Sequence, residues 1–235
     1  MIPYGKHYID QDDIKSVIKV LKSDNLTQGP LIKTFENVVA KYVGAKYAVA
    51  VASCTAGLHL AAIVSNIKEG KILLTSPITF VSTANSALFC GGKTIFADID
   101  SNINISPEEV NKLCSKNNIS AISPVHFGGL PCNMKKLKKI ADKYKAFIYE
   151  DAAHAFGATF PDGTKVGSCK YSDMTIFSFH PVKSIAMGEG GVITTNNKKI
   201  FQRLLILRNS GIEKERSNFI YKDKSKEKEI DNPWY

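Results

Sequence analysis

Residues 119–154, ISAISPVHFGGLPCNMKKLKKIADKYKAFIYEDAAH, decide the fold. Two apolar runs, Ile119–Val125 and Phe147–Tyr149, flank a predicted helix near 133–144. In that helix Lys135, Lys136, Lys138 and Lys139 surround Leu137 and Ile140, the pattern of a solvated face over an apolar one. Near-continuous apolar strands separated by a helix read as parallel strands covered on both sides. The second run ends in Glu150-Asp151, then Ala152-Ala153-His154. Ligands of an open α/β sheet bind at the carboxyl ends of its strands. Asp151 is therefore a candidate functional carboxylate, with an Asp capping the next turn as the alternative.

The same alternation extends outward. Further strands are expected at Tyr47–Ala52, Ile72–Thr75 and Thr94–Ala97, with helices near 55–66, 79–89 and 106–115. Ser106 and Glu109 have the spacing of a capping box. Met174–Ser178 and Gly191–Thr195 follow each other with no helix between, so one of them is expected to run antiparallel. A last helix is expected over 197–208. Upstream, Ile14, Val17, Ile18 and Leu21 make an amphipathic helix over 10–22. Gly29-Pro30 then starts a second helix, with Phe35, Val38, Val39 and Tyr42 read as inward and Gly44 as its stop. The pattern dissolves after Gly211 into the charged stretch Glu213–Asp231 and stops at Pro233-Trp234-Tyr235. Residues 1–212 are thus read as one large domain with an N-terminal helical arm. Residues 213–235 are read as a charged loop and the start of an interrupted element.

Composition bounds the function. With 235 residues, 44% of them hydrophobic and 23% charged, the chain can bury an ordinary globular core. Five cysteines, an odd number without a C-x-x-C pair, argue for free thiols in a reducing compartment and against a zinc site. No run approaches a membrane span and the first residues lack a signal peptide, so a cytoplasmic location is expected. The net charge of +9 suits anionic metabolites. No RNA- or DNA-binding signature accompanies it, so neither nucleic acid nor membrane is expected as a partner.

Residues just after the strands carry the chemistry. Ser53-Cys54-Thr55-Ala56-Gly57 opens a helix with small and hydroxylated residues. Its free N–H groups suit a phosphate, and an N-cap by Ser53 or Thr55 is the plainer reading. Phe80 follows Ile72–Thr75 closely and is either core or a ring cover. Lys183 follows Met174–Ser178 and precedes Gly188-Glu189-Gly190-Gly191. A desolvated lysine there is a usable amine nucleophile. A phosphate cup, an aromatic cover, an acid for a pyridine nitrogen and a nucleophilic lysine are the parts of a pyridoxal-phosphate site.

These segments, in this order, resemble the DegT/DnrJ/EryC1/StrS sugar aminotransferases, which are fold-type-I enzymes. The matching stretches are Leu26–Pro30, Ser53–Ala56, Pro77–Phe80, Glu150–His154, Ser178–Lys183 and Gly188–Gly191. Phe179–Lys183, Ala153–Ala155 and Pro77–Val81 are most similar to the PseC branch. The resemblance implies a large domain with a mainly parallel mixed sheet between helix layers, the family's C-terminal small domain being absent. It implies pyridoxal 5′-phosphate as cofactor, held covalently by Lys183, with Asp151 on the ring nitrogen and Phe80 on the ring face. Thr55, the Ala56 amide and Ser178 would hold the phosphate, and His154 would lie near the ring's phenolic oxygen. L-Glutamate would give the amino group and leave as 2-oxoglutarate. C4 of a UDP-linked 4-keto-6-deoxy-N-acetylamino sugar, of the pseudaminic acid type, would receive it. A homodimer is implied for the full-length members, whose later segments complete the site. The alternatives are another nucleotide-linked keto sugar, or a non-catalytic remnant.

Overall fold

The computed structural model describes residues 5–213. The expectation for 213–235 therefore lies, apart from its first residue, outside the described residues.

Seven strands form one mixed sheet: β1 (Tyr47–Val51), β2 (Ile72–Thr75), β3 (Lys93–Phe96), β4 (Ile119–Ser123), β5 (Phe147–Asp151), β6 (Met174–Ser178) and β7 (Gly191–Thr195). Their spatial order is β1-β7-β6-β5-β4-β2-β3. The block from β3 to β6 is parallel, and β7 runs antiparallel to both its neighbours, β1 and β6. That is the antiparallel strand expected from the missing helix between β6 and β7.

The helices are α1 (Gln11–Leu21), α2 (Pro30–Val43), α3 (Cys54–Val64), α4 (Val81–Leu88), α5 (Pro107–Lys116), α6 (Met134–Tyr144) and α7 (Lys198–Arg208). They build a core on each side of the sheet. One core packs Val39 and Val43 of α2, Val110 of α5 and Leu137 of α6 against Ile122, Ile148 and Phe177. The other packs Leu58 and Ala61 of α3, Ala87 of α4 and Leu204 of α7 against Leu73, Tyr149, Ile176 and Ile193. Fully burying one such large side chain is worth roughly 1.5–3 kcal/mol, so the two layers hold the sheet edges rigidly. Gly57 lets α3 lie close on β6, because a Cβ there would meet Ile176 at 2.8 Å. This contact fixes the first turn of α3 at the carboxyl ends of the strands.

Three sequence expectations change in the structure. First, α1 forms, with a complete capping box between Asp10 and Asp13, but it buries no residue. Its stripe of Ile14, Val17, Ile18 and Leu21 is exposed, since no described element packs on it. Second, α2 turns Val38 and Tyr42 outward and Glu36 inward. Glu36 accepts from Arg208 of α7 and, at 3.0 Å, from the Ala50 amide, so a buried ion pair joins α2, β1 and α7. Phe35, Val39 and Val43 still pack on the core, and Glu36 enters beside this apolar stripe to meet Arg208. Third, only half of the expected α5 capping box is made. Ser106 Oγ accepts the Glu109 N–H at 3.3 Å, while the Glu109 carboxylate turns to Lys112 at 3.1 Å.

All five cysteines are unpaired. Among the described residues no helix is long and apolar enough to cross a membrane, and no cluster of His, Cys, Asp or Glu is arranged to hold a metal ion.

Candidate functional site

The carboxyl ends of β1, β4, β5 and β6 and the first turns of α3 and α4 surround a cavity of about 860 Å³. Of the seven site residues expected from sequence, Thr55, Phe80, Asp151, His154, Ser178 and Lys183 line it. Ala56 is the seventh, one turn position into α3 behind Thr55.

Each side chain is held from a strand end. Asp151 is the last residue of β5, and only 3% of it is exposed. Its Oδ1 accepts the Ala153 N–H at 3.1 Å, and its Oδ2 accepts the Thr83 hydroxyl at 2.6 Å. The turn-capping alternative and the cavity-facing carboxylate thus coexist in one residue. Lys183 stands on the loop after β6, half-buried, with Nζ 2.7 Å from His154 Nε2. Burial lowers the proton affinity of His154, the neighbouring Lys183 charge lowers it further, and Asp151 opposes them. A neutral His154 ring accepts from the Lys183 ammonium, which orients the amine.

At the opposite end of the cavity, α3 begins. Ser53 is its N-cap, and Ser53 Oγ accepts the Ala56 N–H at 3.1 Å. Thr55 Oγ1 lies 2.8 Å from Ser82 Oγ at the start of α4. The plain capping reading of this stretch is therefore met by Ser53, and Thr55 remains on the cavity wall. Strand β7 starts directly beneath: a Cβ at Gly191 would stand 2.7 Å from the Ser53 carbonyl carbon and 2.8 Å from the Cys54 nitrogen. Only glycine permits that approach. Ser178 is buried at the end of β6, its Oγ 3.4 Å from the His180 amide. Phe80 is the N-cap residue of α4 and is 73% exposed. The core alternative for this ring is overturned, because the turn into α4 lifts it over the cavity instead of under the helix.

Sequence reasoning passed over four residues here. Cys54, the first residue of α3, also lines the cavity. Burial pushes its thiol well up, Asp151 adds to this and Lys183 opposes it, which keeps Cys54 neutral between the two charges. Ser82 and Thr83 act through Thr55 and Asp151 as described. Their signal was the hydroxyl-rich run Thr79-Phe80-Val81-Ser82-Thr83 at a helix start. His126 is buried in the cavity wall itself; its Nδ1 accepts the Cys132 amide at 3.0 Å and its Nε2 lies 2.7 Å from Glu150. Burial resists a charge on this ring and Glu150 favours it; the amide aimed at Nδ1 leaves Nε2 as the donor.

The arrangement fits a phosphorylated aromatic aldehyde. It offers a nucleophilic amine, a carboxylate, an open aromatic face and a helix N-terminus flanked by hydroxyls around one cavity.

Comparison with known proteins agrees. The family described as "DegT/DnrJ/EryC1/StrS aminotransferase family" matches residues 7–228. A UDP-4-amino-4,6-dideoxy-N-acetyl-beta-L-altrosamine transaminase of Campylobacter jejuni is 43% identical over 92% of this chain and 57% of its own length. Among solved structures, Helicobacter pylori PseC, an aminotransferase involved in the biosynthesis of pseudoaminic acid, superposes with TM-score 0.83 at 30% identity. That match covers 91% of this chain and 57% of PseC. DesI, solved in the presence of its TDP-sugar product, gives TM-score 0.82 at 32% identity over 91% of this chain and 54% of DesI. The chain thus spans little more than half the length of the relatives it matches.

Proposed function

The chain belongs to the DegT/DnrJ/EryC1/StrS aminotransferase family, and from that premise we propose that it serves a pyridoxal-phosphate-dependent sugar transamination. The amino group would come from L-glutamate, which leaves as 2-oxoglutarate. It would go to C4 of a UDP-linked 4-keto-6-deoxy-N-acetylamino sugar, as in pseudaminic acid formation. The observation that carries this reading is the meeting of the Lys183 amine, the Asp151 carboxylate and the start of α3 in one cavity.

When bound, the cofactor supplies an aldehyde that exchanges amines and a ring that withdraws electrons. In this reading Lys183 Nζ joins it covalently and, once released, carries a proton to and from the substrate carbon. Asp151 keeps a proton on the ring nitrogen. Phe80 covers one ring face and excludes water from it. Thr55, the Ala56 amide and Ser178 take the phosphate, with Ser53 Oγ giving up the Ala56 N–H. His154 orients the Lys183 amine and stands toward the phenolic side.

Likeness to the altrosamine transaminase and to PseC supports the UDP sugar. Likeness to DesI supports a second reading, in which a different nucleotide carries the keto sugar. The exposed stripe of α1 supports assembly with a second copy, as a homodimer. Free cysteines support a cytoplasmic setting.

The test is reduction of the cofactor-loaded protein with borohydride, followed by peptide mapping and by turnover with glutamate and UDP- or TDP-linked 4-keto sugars. A stable adduct on Lys183 and amination of the UDP sugar are expected. An adduct on another lysine defeats the reading.

A further inference from the structure

Asp151 does not hold its own orientation. It sits at the end of β5, and each of its oxygens is met by one donor from a different element. Oδ1 takes the Ala153 amide at 3.1 Å, from its own loop. Oδ2 takes the Thr83 hydroxyl at 2.6 Å, from α4, 68 residues away in the chain. Thr83 is fully buried and is itself met by Thr79 Oγ1 at 2.7 Å. A hydroxyl has a single proton. The Phe80 carbonyl is a second acceptor at 3.2 Å, and the shorter contact gives the proton to Asp151. Thr79 then becomes the donor to Thr83, and the three groups form a directed chain from the cavity wall to the carboxylate.

We propose that Thr83 is a positioning residue that fixes the plane of Asp151 through this hydroxyl chain. The proposal rests on the cofactor reading of the cavity. Two donors on two oxygens leave the carboxylate no free rotation. An oriented carboxylate is what a ring nitrogen would need. Ser82, the preceding residue, meets Thr55 at 2.8 Å on the phosphate side. One turn of α4 therefore sets the distance between the two ends of the ligand, while Phe80 at its N-cap faces the ring. This makes the 79–83 turn a template rather than a spacer.

The experiment compares wild type, Thr83→Val, Thr83→Ser and Thr79→Val. Three quantities are read: the pyridoxal phosphate dissociation constant, the pH midpoint of the bound cofactor's visible absorbance, and the melting temperature without cofactor. Thr83→Val keeps the volume and removes the donor. It is expected to weaken cofactor binding about tenfold and to shift the absorbance midpoint, the loss of one bond to a charged group. Thr83→Ser is expected to restore both. Thr79→Val, which removes only the upstream donor, is expected to shift the midpoint in the same direction by less, and is decisive if Thr83→Val does not fold. Wild-type values for Thr83→Val, or equal losses in Thr83→Ser and Thr83→Val, overturn the proposal. So does an unmoved midpoint in Thr79→Val. Failure of wild type to form the Lys183 adduct overturns the cofactor reading beneath it, and is distinct from those results.

Discussion

Glu150 and Asp151 are chain neighbours with the same charge and nearly the same exposure, 1% and 3%. They face opposite sides of the sheet. Glu150 pairs across to Thr175 and accepts from Thr175 at 2.7 Å, from Ser172 and from His126 at 2.7 Å. Asp151 pairs with Ile176, has one hydroxyl and one amide, and opens on the cavity. Burial therefore does not separate a carboxylate saturated by the fold from one that opens on a cavity. The number of donors and what the remaining lone pairs face does. Glu150 is saturated by its own fold and ties β5, β6 and the loop after β4 together. Asp151 is oriented by its fold and left with capacity for a ligand.

The comparison predicts that the cavity face loses chemistry without losing the fold, and that the packed face does the reverse. The largest effect belongs to Lys183→Ala. It should abolish the borohydride-stable adduct while shifting stability by less than ~0.5 kcal/mol, as for a substitution that uncovers no core. Mass spectrometry and urea unfolding check the two halves. An adduct that persists elsewhere would break the comparison at its first step.

Asp151→Asn comes next. The amide keeps the size but cannot hold a proton on the ring nitrogen, so the half-reaction with glutamate should slow by about a hundredfold. Stopped-flow absorbance measures it, and an unchanged rate would place the functional acid elsewhere. Glu150→Ala should do the opposite. It leaves His126, Ser172 and Thr175 without their acceptor, at a cost of about 3 kcal/mol in unfolding free energy. Cofactor still binds at Lys183 in the molecules that fold. Equal stability of wild type and Glu150→Ala would mean that water replaces the carboxylate without loss.

Much of this was legible beforehand, for reasons that also mark where legibility ends. The bounds of β2, β6 and β7 are those expected, because strands buried on both faces read as near-continuous runs in which even the hydroxyl residues are buried. Asp151, Lys183 and Phe80 were singled out from their places after strands, a rule of topology that needs no side-chain detail, and the structure brings all three to one cavity. On α2, Phe35 and Val39 face the core as expected, but the inward turn of Glu36 was not legible. Periodicity identifies an apolar stripe, whereas Glu36 turns inward because Arg208, 172 residues on, stands opposite. Thr83 was missed for the same reason. Its partner is set by how α4 docks on β5, and no spacing along the chain encodes that contact.

The smallest effect sharpens the comparison through the two histidines. His126 reaches the cavity wall but is buried, and its two ring nitrogens are both engaged. His154, on the cavity side, is exposed at its ring edge and touches Lys183. Burial first, then the Lys183 charge, hold the folded-state proton affinity of His154 below its ordinary value near 6.5. The folded chain then binds fewer protons than the unfolded chain at pH values between the two. Linkage makes stability fall as pH drops through that interval, because protonation draws the unfolded state down. The contribution is fully present above about pH 6.5 and is lost as pH falls through the lowered folded value. Solvent at the ring edge screens the effect, which should stay under ~1 kcal/mol. His154→Gln, which keeps an acceptor for Lys183, should remove it. The melting temperature at pH 7.5 and at pH 5.5 should therefore differ less in His154→Gln than in wild type. Asp162 does not confuse the reading: Lys170 and the neighbouring hydroxyls hold its carboxyl low, so its loss falls below the ordinary carboxylate range near 4. A pH slope unchanged by His154→Gln would mean that Lys183 and His154 do not share the contact in solution. The amine would then be oriented by the cavity alone.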